Sequence, residues 1–132
     1  MSAPTKILDV MTADPMVIDP QSTVRDGYRL MKTHGFRHLP VVEDGRLVGV
    51  LSVTDVGKLG SQVPAVMARL IGDAMTRDPL TVSEEERIEV AAATMAVKKF
   101  NCLPVVRDGK LVGIVTTYDL LDALARRIRQ EE

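Results

Sequence analysis

Residues 10–56, VMTADPMVIDPQSTVRDGYRLMKTHGFRHLPVVEDGRLVGVLSVTDV, lie over residues 74–120, AMTRDPLTVSEEERIEVAAATMAVKKFNCLPVVRDGKLVGIVTTYDL, at a constant offset of 64 and without a gap. Met11 and Met75, Asp14 and Asp78, Pro15 and Pro79, Phe36 and Phe100, Gly49 and Gly113, and Asp55 and Asp119 are identical pairs, and Leu39-Pro40-Val41-Val42 recurs as Leu103-Pro104-Val105-Val106. The chain is a tandem duplication. Two copies are too few for a solenoid, which needs about three stacked units to bury a continuous core. Its 132 residues also leave each copy too little apolar surface to stand alone. The copies are therefore expected to pair face to face about a pseudo-twofold axis.

Each copy reads as strand, helix, strand, strand, helix. The first strand is expected at Met16–Ile18 and at Leu80–Val82. The helix is expected to follow Asp19-Pro20 in copy one, with Pro20 in the first helical position, and to follow Ser83 in copy two, where Ser83-x-x-Glu86 has capping-box spacing. Val24, Gly27, Tyr28 and Met31, matched by Ile88, Ala91, Ala92 and Met95, form a stripe of helical period and are read as core. Gly35 suits a helix stop. Asp44-Gly45 and Asp108-Gly109 each lie between apolar runs and are read as hairpin turns. Ala65–Ile71, bracketed by Gly60, Pro64 and Gly72, reads as a linker helix, and Leu120–Gln130 as a longer helix whose basic end suits the negative pole of its dipole.

Composition excludes more than it selects. With 45% apolar and 27% charged residues and a net charge of -1, the chain carries no field that favours nucleic acid or an anionic membrane. No run of about 18 apolar residues is present to span a bilayer, and MSAPTKILDVM lacks the blocks of a signal peptide, so a cytoplasmic protein is expected. The single cysteine, Cys102, cannot form an internal disulfide, which fits a reducing compartment.

The motifs resemble the paired CBS (cystathionine beta-synthase) domains, which together form a Bateman module. The carriers are Val10-Met11-Thr12 with Asp14-Pro15, Leu39-Pro40-Val41-Val42, Asp44-Gly45 and Gly49-x-x-Ser52-x-x-Asp55, all recurring in order in copy two. The resemblance implies an α/β fold of tandem β-α-β-β-α CBS repeats packed through their sheets with pseudo-twofold symmetry. It places CBS domain 1 at 7–60, a linker helix at 61–73, CBS domain 2 at 74–124 and the end of the C-terminal helix at 125–132. It also implies clefts for an adenosine-containing ligand such as AMP, ADP, ATP or S-adenosylmethionine.

Ser52-x-x-Asp55 and Thr116-x-x-Asp119 have two readings. As capping boxes they would only start a helix. As a ligand site, the ionised carboxylate would accept two hydrogen bonds from a ribose diol while the hydroxyl and the first N–H groups of the helix hold phosphate. Thr54 and Tyr118, beside the aspartates, are secondary candidates. The resemblance implies crossed clefts. In one, Asp119, Thr116 and Tyr118 face Phe36, Arg37 and His38, which offer an aromatic contact to adenine and cationic or imidazole donors to phosphate. In the other, Asp55, Ser52 and Thr54 face Phe100, Asn101 and Cys102, which carry no charge. A phosphorylated ligand is then expected to prefer the Asp119 cleft.

No catalytic or metal site is expected. His34-x3-His38 is interrupted by Gly35, Cys102 lacks a matching histidine, and no phosphate-gripping glycine loop occurs. The expected function is a regulatory adenosine-nucleotide sensor acting through an unknown effector or its own homodimer, with Val56, Leu59, Leu120, Leu121 and Leu124 as the candidate dimer surface. A structural assembly module without a ligand is the alternative.

Overall fold

The computed structural model describes residues 4–59 and 64–131. They form two compact units that are not the two sequence copies. One is Met16–Pro79; the other joins the segment ending at Pro15 to the chain from Leu80 onward. Each copy is completed by the segment that precedes the opposite copy. The backbone bonds show the exchange twice over: Ile7 N–H donates to Glu86 O at 2.8 Å and Leu8 N–H to Glu84 O at 2.9 Å, while Ile71 N–H donates to Ser22 O at 2.8 Å and Gly72 N–H to Pro20 O at 2.9 Å.

In the second unit, β1 (Thr12–Ala13), β5 (Val82–Ser83), β6 (Cys102–Arg107) and β7 (Lys110–Thr116) form one sheet in the order β1-β7-β6-β5. The first unit has β2 (His38–Glu43), β3 (Arg46–Ser52) and β4 (Thr76–Arg77) in the order β2-β3-β4. Ile18 bridges Val41 in parallel, the counterpart of β5 against β6. The expected strands Met16–Ile18 and Leu80–Val82 thus shrink to that single bridge and to Val82–Ser83. Thr12–Ala13 and Thr76–Arg77 pair where no strand was expected. Both hairpins turn as the Asp-Gly pairs require, with φ of 51° and 78° at Asp44-Gly45 and 53° and 78° at Asp108-Gly109, the left-handed values of the tight two-residue turn.

Helix α1 (Val24–His34) starts four residues later than expected. Thr23 is its cap: the Thr23 hydroxyl accepts from Asp26 N–H and the Asp26 carboxylate accepts from Thr23 N–H. Asp19 instead closes a turn through Gln21 N–H, and the Pro20 carbonyl is taken by Gly72. Likewise Ser83 makes a turn with Glu85 and Glu86, not a capping box, and α5 (Ile88–Lys98) begins beyond it. The linker helix is two short turns, α3 (Pro64–Met67) and α4 (Ile71–Ala74), because Arg69 O and Leu70 pair in extended form with Val24 and Thr23. Residues 60–63 of the expected linker lie outside the described residues. Helices α2 (Val53–Leu59) and α6 (Thr117–Glu131) follow β3 and β7 directly.

Each unit has its own core. Ile18, Val24, Met31, Leu39, Val41, Leu51, Val56, Met67 and Ile71 fill the first; Ile7, Ile88, Ala91, Met95, Leu103, Val105, Val115 and Ala123 fill the second. Ile7 and Ile71 are fully buried, so the exchanged segments carry core residues across from the opposite copy.

Candidate ligand site

The strand-to-helix junctions β3–α2 and β7–α6 carry the repeated hydroxyl-x-x-Asp. Each is tied to the loop before the Leu-Pro-Val strand of its own copy. Val53 N–H donates to Arg37 O at 2.9 Å and Thr117 N–H to Asn101 O at 3.0 Å. His38 is the ladder partner of Ser52, and Cys102 of Thr116. The structure therefore gathers Phe36, Arg37 and His38 with Ser52, Thr54 and Asp55 in the first unit, and Phe100, Asn101 and Cys102 with Thr116, Tyr118 and Asp119 in the second. The crossed sets expected from the resemblance combine residues of different units.

The two junctions differ in their caps. In the second unit the box is complete: Asp119 Oδ2 accepts from Thr116 N–H at 2.8 Å and from Thr116 Oγ1 at 3.0 Å, and Asp119 N–H donates back to Thr116 Oγ1 at 3.3 Å. In the first unit only half exists, with Asp55 N–H donating to Ser52 Oγ at 2.9 Å. The Asp55 carboxylate, half-buried, accepts no hydrogen bond among the described residues. Both readings of the motif are thus present, the cap in copy two and an uncommitted acceptor in copy one. Phosphate binding by the leading N–H groups is narrowed, because those of Val53, Asp55, Thr117 and Asp119 all have partners.

Electrostatics follow the same division. Burial and then the neighbouring Arg37 charge hold the His38 imidazole below its ordinary 6.5, while Asp55 pulls the other way. At neutral pH the ring is uncharged and Arg37, exposed, is the cation of the site. Phe36 is partly exposed and its ring stacks on His34, with the centroids 5.6 Å apart. In copy two, burial pushes the Cys102 thiol up to about 12, so it stays protonated and unreactive. Thr54 and Tyr118 are exposed. Among the described residues no cluster of three or more His, Cys, Asp or Glu could hold a metal ion, and no helix is long and apolar enough to cross a membrane.

A mixed α/β pair of repeats with a hydroxyl-x-x-Asp junction in each is the architecture of a CBS pair. The CBS domain family matches residues 7–59 and 71–126, and the chain belongs to it. The chain is 37% identical over 110 residues to inosine-5'-monophosphate dehydrogenase of Korarchaeum cryptofilum, covering 81% of this chain and 22% of that enzyme. It spans between about a fifth and a half of the length of the first curated relatives it matches. Among solved structures it is similar to CBSX2 in complex with AMP, at 33% identity and TM-score 0.82 over 92% of this chain and 96% of that one. It is also similar to the CBS domain pair of protein MJ0100 in complex with 5'-methylthioadenosine and S-adenosyl-L-methionine, at 28% identity and TM-score 0.82 over 91% and 99%.

Proposed function

We propose that this chain is a regulatory module that binds an adenosine-containing ligand, AMP, ADP, ATP or S-adenosylmethionine, and passes its occupancy to an effector or to a second copy of itself in the cytoplasm. The observation that carries the reading is the uncommitted Asp55 carboxylate beside Arg37 and His38. A half-buried, acceptor-only group suits the two hydroxyls of a ribose, and the cation of Arg37, whose carbonyl is tied to Val53 N–H at the same junction, suits phosphate. The ligands of the similar CBS pairs support the adenosine class. In this reading copy one holds a phosphorylated ligand more tightly than copy two, where Asp119 is already engaged in its cap and Asn101 and Cys102 bring no charge. Phe36 and Phe100 would meet adenine, and Thr54 and Tyr118 stand at the rim of each site.

Calorimetric titration of AMP and adenosine tests it. Loss of a charged hydrogen bond costs about 1.5 to 3 kcal/mol, so Asp55→Ala should weaken the tighter AMP event by roughly ten- to a hundredfold. Arg37→Ala should weaken AMP more than adenosine. In a double-mutant cycle Arg37 should couple to Asp55; coupling to Asp119 would establish the crossed arrangement instead. If no adenosine compound binds either copy, the module serves assembly alone.

A further inference from the structure

His34 and Phe36 stand on either side of Gly35, and the way α1 ends brings their rings together. Gly35 is left-handed at φ 76°, and its N–H donates to the Met31 carbonyl, which also accepts from Phe36 N–H at 3.0 Å. The chain turns sharply at that one residue, and the two rings come to lie nearly parallel, with planes 16° apart and centroids at 5.6 Å. Beneath them the anchor is buried. Met31 sits in the core with Val56, which the sequence placed at a dimer surface and which is fully buried; the Leu59 side chain lies outside the described residues. On its other side Phe36 is followed by Arg37, whose carbonyl accepts from Val53 N–H at 2.9 Å. The Phe36 backbone is thus held from both directions, by the helix stop and by the β3–α2 junction that carries Asp55.

Copy two builds the same backbone without the stack. Lys99 is left-handed at φ 60°, and Phe100 N–H donates to Met95 O at 3.1 Å, but the residue matching His34 is Lys98, which has no ring. Among the described residues Phe100 has no stacked aromatic partner. The two phenylalanines are similarly open to solvent, Phe36 at 37% and Phe100 at 42%, so orientation separates them and access does not. A lone exposed ring samples rotamers that binding must freeze, at a cost in affinity. A ring stacked in the free protein has already given up that freedom.

We infer that His34 is a positioning residue, which holds the Phe36 ring as a preformed platform for a purine base, so that copy one recognises the base of its ligand as well as the phosphate. This role rests on the proposed binding of an adenosine compound beside Asp55, and it adds a residue that has no part in ribose or phosphate contact. Near-parallel aromatic pairs at this separation attract beyond the area they bury. His34 therefore fixes the ring from one side, and a Phe36 that is still 37% exposed has surface left to offer the base.

Calorimetry of the full chain with AMP and with adenosine, joined to NMR of the saturated complexes, tests it. His34→Ala should weaken AMP and adenosine by the same factor, roughly two- to tenfold, because what is lost serves the base that both share. In the same variant the adenine ring protons should lose part of the upfield shift that a ring stacked against them imposes, a signature that a purely structural role for residue 34 would not move. His34→Phe restores a ring without the imidazole nitrogens and should recover both the affinity and the shift. His34 is exposed, so neither change disturbs the core. Affinity and shift unchanged in His34→Ala, a loss confined to AMP, or a His34→Phe as weak as the alanine variant would each overturn the role. Its failure is separable from that of the proposed function: a chain that binds neither AMP nor adenosine refutes both, whereas tight AMP binding indifferent to residue 34 refutes the platform alone.

Discussion

Copy one and copy two share the hydroxyl-x-x-Asp junction, yet Asp55 leaves its carboxylate uncommitted while Asp119 binds its own threonine twice. The outer helices have diverged in the opposite sense. Copy one shows solvent Arg29 and Lys32 on α1 and packs Met67 of α3 against Val24, Met31 and Val56, whereas copy two has Ala92, Leu121 and Leu124 along a groove between α5 and α6. Three further pairs separate the copies: Arg37 against Asn101, His38 against Cys102, and Gly35 against Lys99 at the helix ends.

The exchanged segments offer the strongest test of how the copies depend on one another. Ile7 and Ile71 are fully buried and occupy matching places, so Ile7→Ala and Ile71→Ala should each cost about 2 to 5 kcal/mol. The difference lies in where the loss appears. Ile7 is adjacent in sequence to copy one but packs in the core of Ile88 and Leu103, so its truncation should lower hydrogen-exchange protection in β6 and β7 first; Ile71→Ala should do so in β2 and β3. Protection lost in the sequence-adjacent copy would refute the exchange.

That exchange also marks the limit of what the sequence discloses. The hairpins were legible because Asp-Gly between apolar runs permits one turn, and the helix stripes because Val24, Gly27 and Met31 recur at helical spacing. The segments at 12–13 and 76–77 were not, because two-residue strands have no periodicity and are fixed by a partner about a hundred or thirty residues away. Helix starts were misplaced for a related reason: Asp19-Pro20 and Ser83 carry capping chemistry, but their carbonyls and hydroxyls are drawn into turns that receive Ile71, Gly72, Ile7 and Leu8. At the site, the residue types were legible and their state was not. Nothing in Ser52-x-x-Asp55 against Thr116-x-x-Asp119 announces that only the second box closes.

Glycine substitution sharpens the comparison at the next scale. A Cβ on Gly49 would meet Met75 Sδ and come to 2.7 Å from the Thr76 carbonyl, while one on Gly113 would meet Met11 Sδ and come to 3.0 Å from the Thr12 carbonyl. Sulfur at the end of a flexible side chain can yield; a strand carbonyl held by pairing yields less. Gly49→Ala and Gly113→Ala should each destabilise by about 1 to 3 kcal/mol, with Gly49→Ala the larger. Equal denaturation midpoints for the two would show that the methionines, not the backbone, set the cost.

The helix ends predict a smaller effect of opposite sign. Gly35 closes α1 at φ 76°, but Lys99 closes α5 at φ 60°, a left-handed conformation that a β-carbon opposes. Lys99→Gly should therefore stabilise copy two by about 1 kcal/mol, and Gly35→Ala should destabilise copy one by a similar amount, each read from urea melts. A destabilising Lys99→Gly would mean that the lysine side chain at the groove mouth contributes more than its backbone strain.

The finest contrast is in protons. His38 titrates below its ordinary 6.5 because burial and Arg37 disfavour its charged form, so the unfolded chain takes up its proton first as the pH falls. Stability tied to neutral His38 is then fully present above 6.5 and declines as the pH drops through the unfolded value toward the folded one. His38→Gln should lose this dependence: its stability relative to wild type should improve between about pH 7.5 and pH 5.5 in urea melts. AMP should reverse the trend, because a phosphate beside the ring favours the imidazolium. The nucleotide's own phosphate titrates near pH 6, so the informative quantity is the wild-type affinity divided by that of His38→Gln, which should rise as the pH falls. Copy two should contribute nothing, since Cys102 at the matching position, pushed up to about 12, holds its proton across the whole range. A ratio that stays flat with pH would place the phosphate away from His38, and a ratio that rises equally in Asp55→Ala would detach the imidazole from the copy-one site.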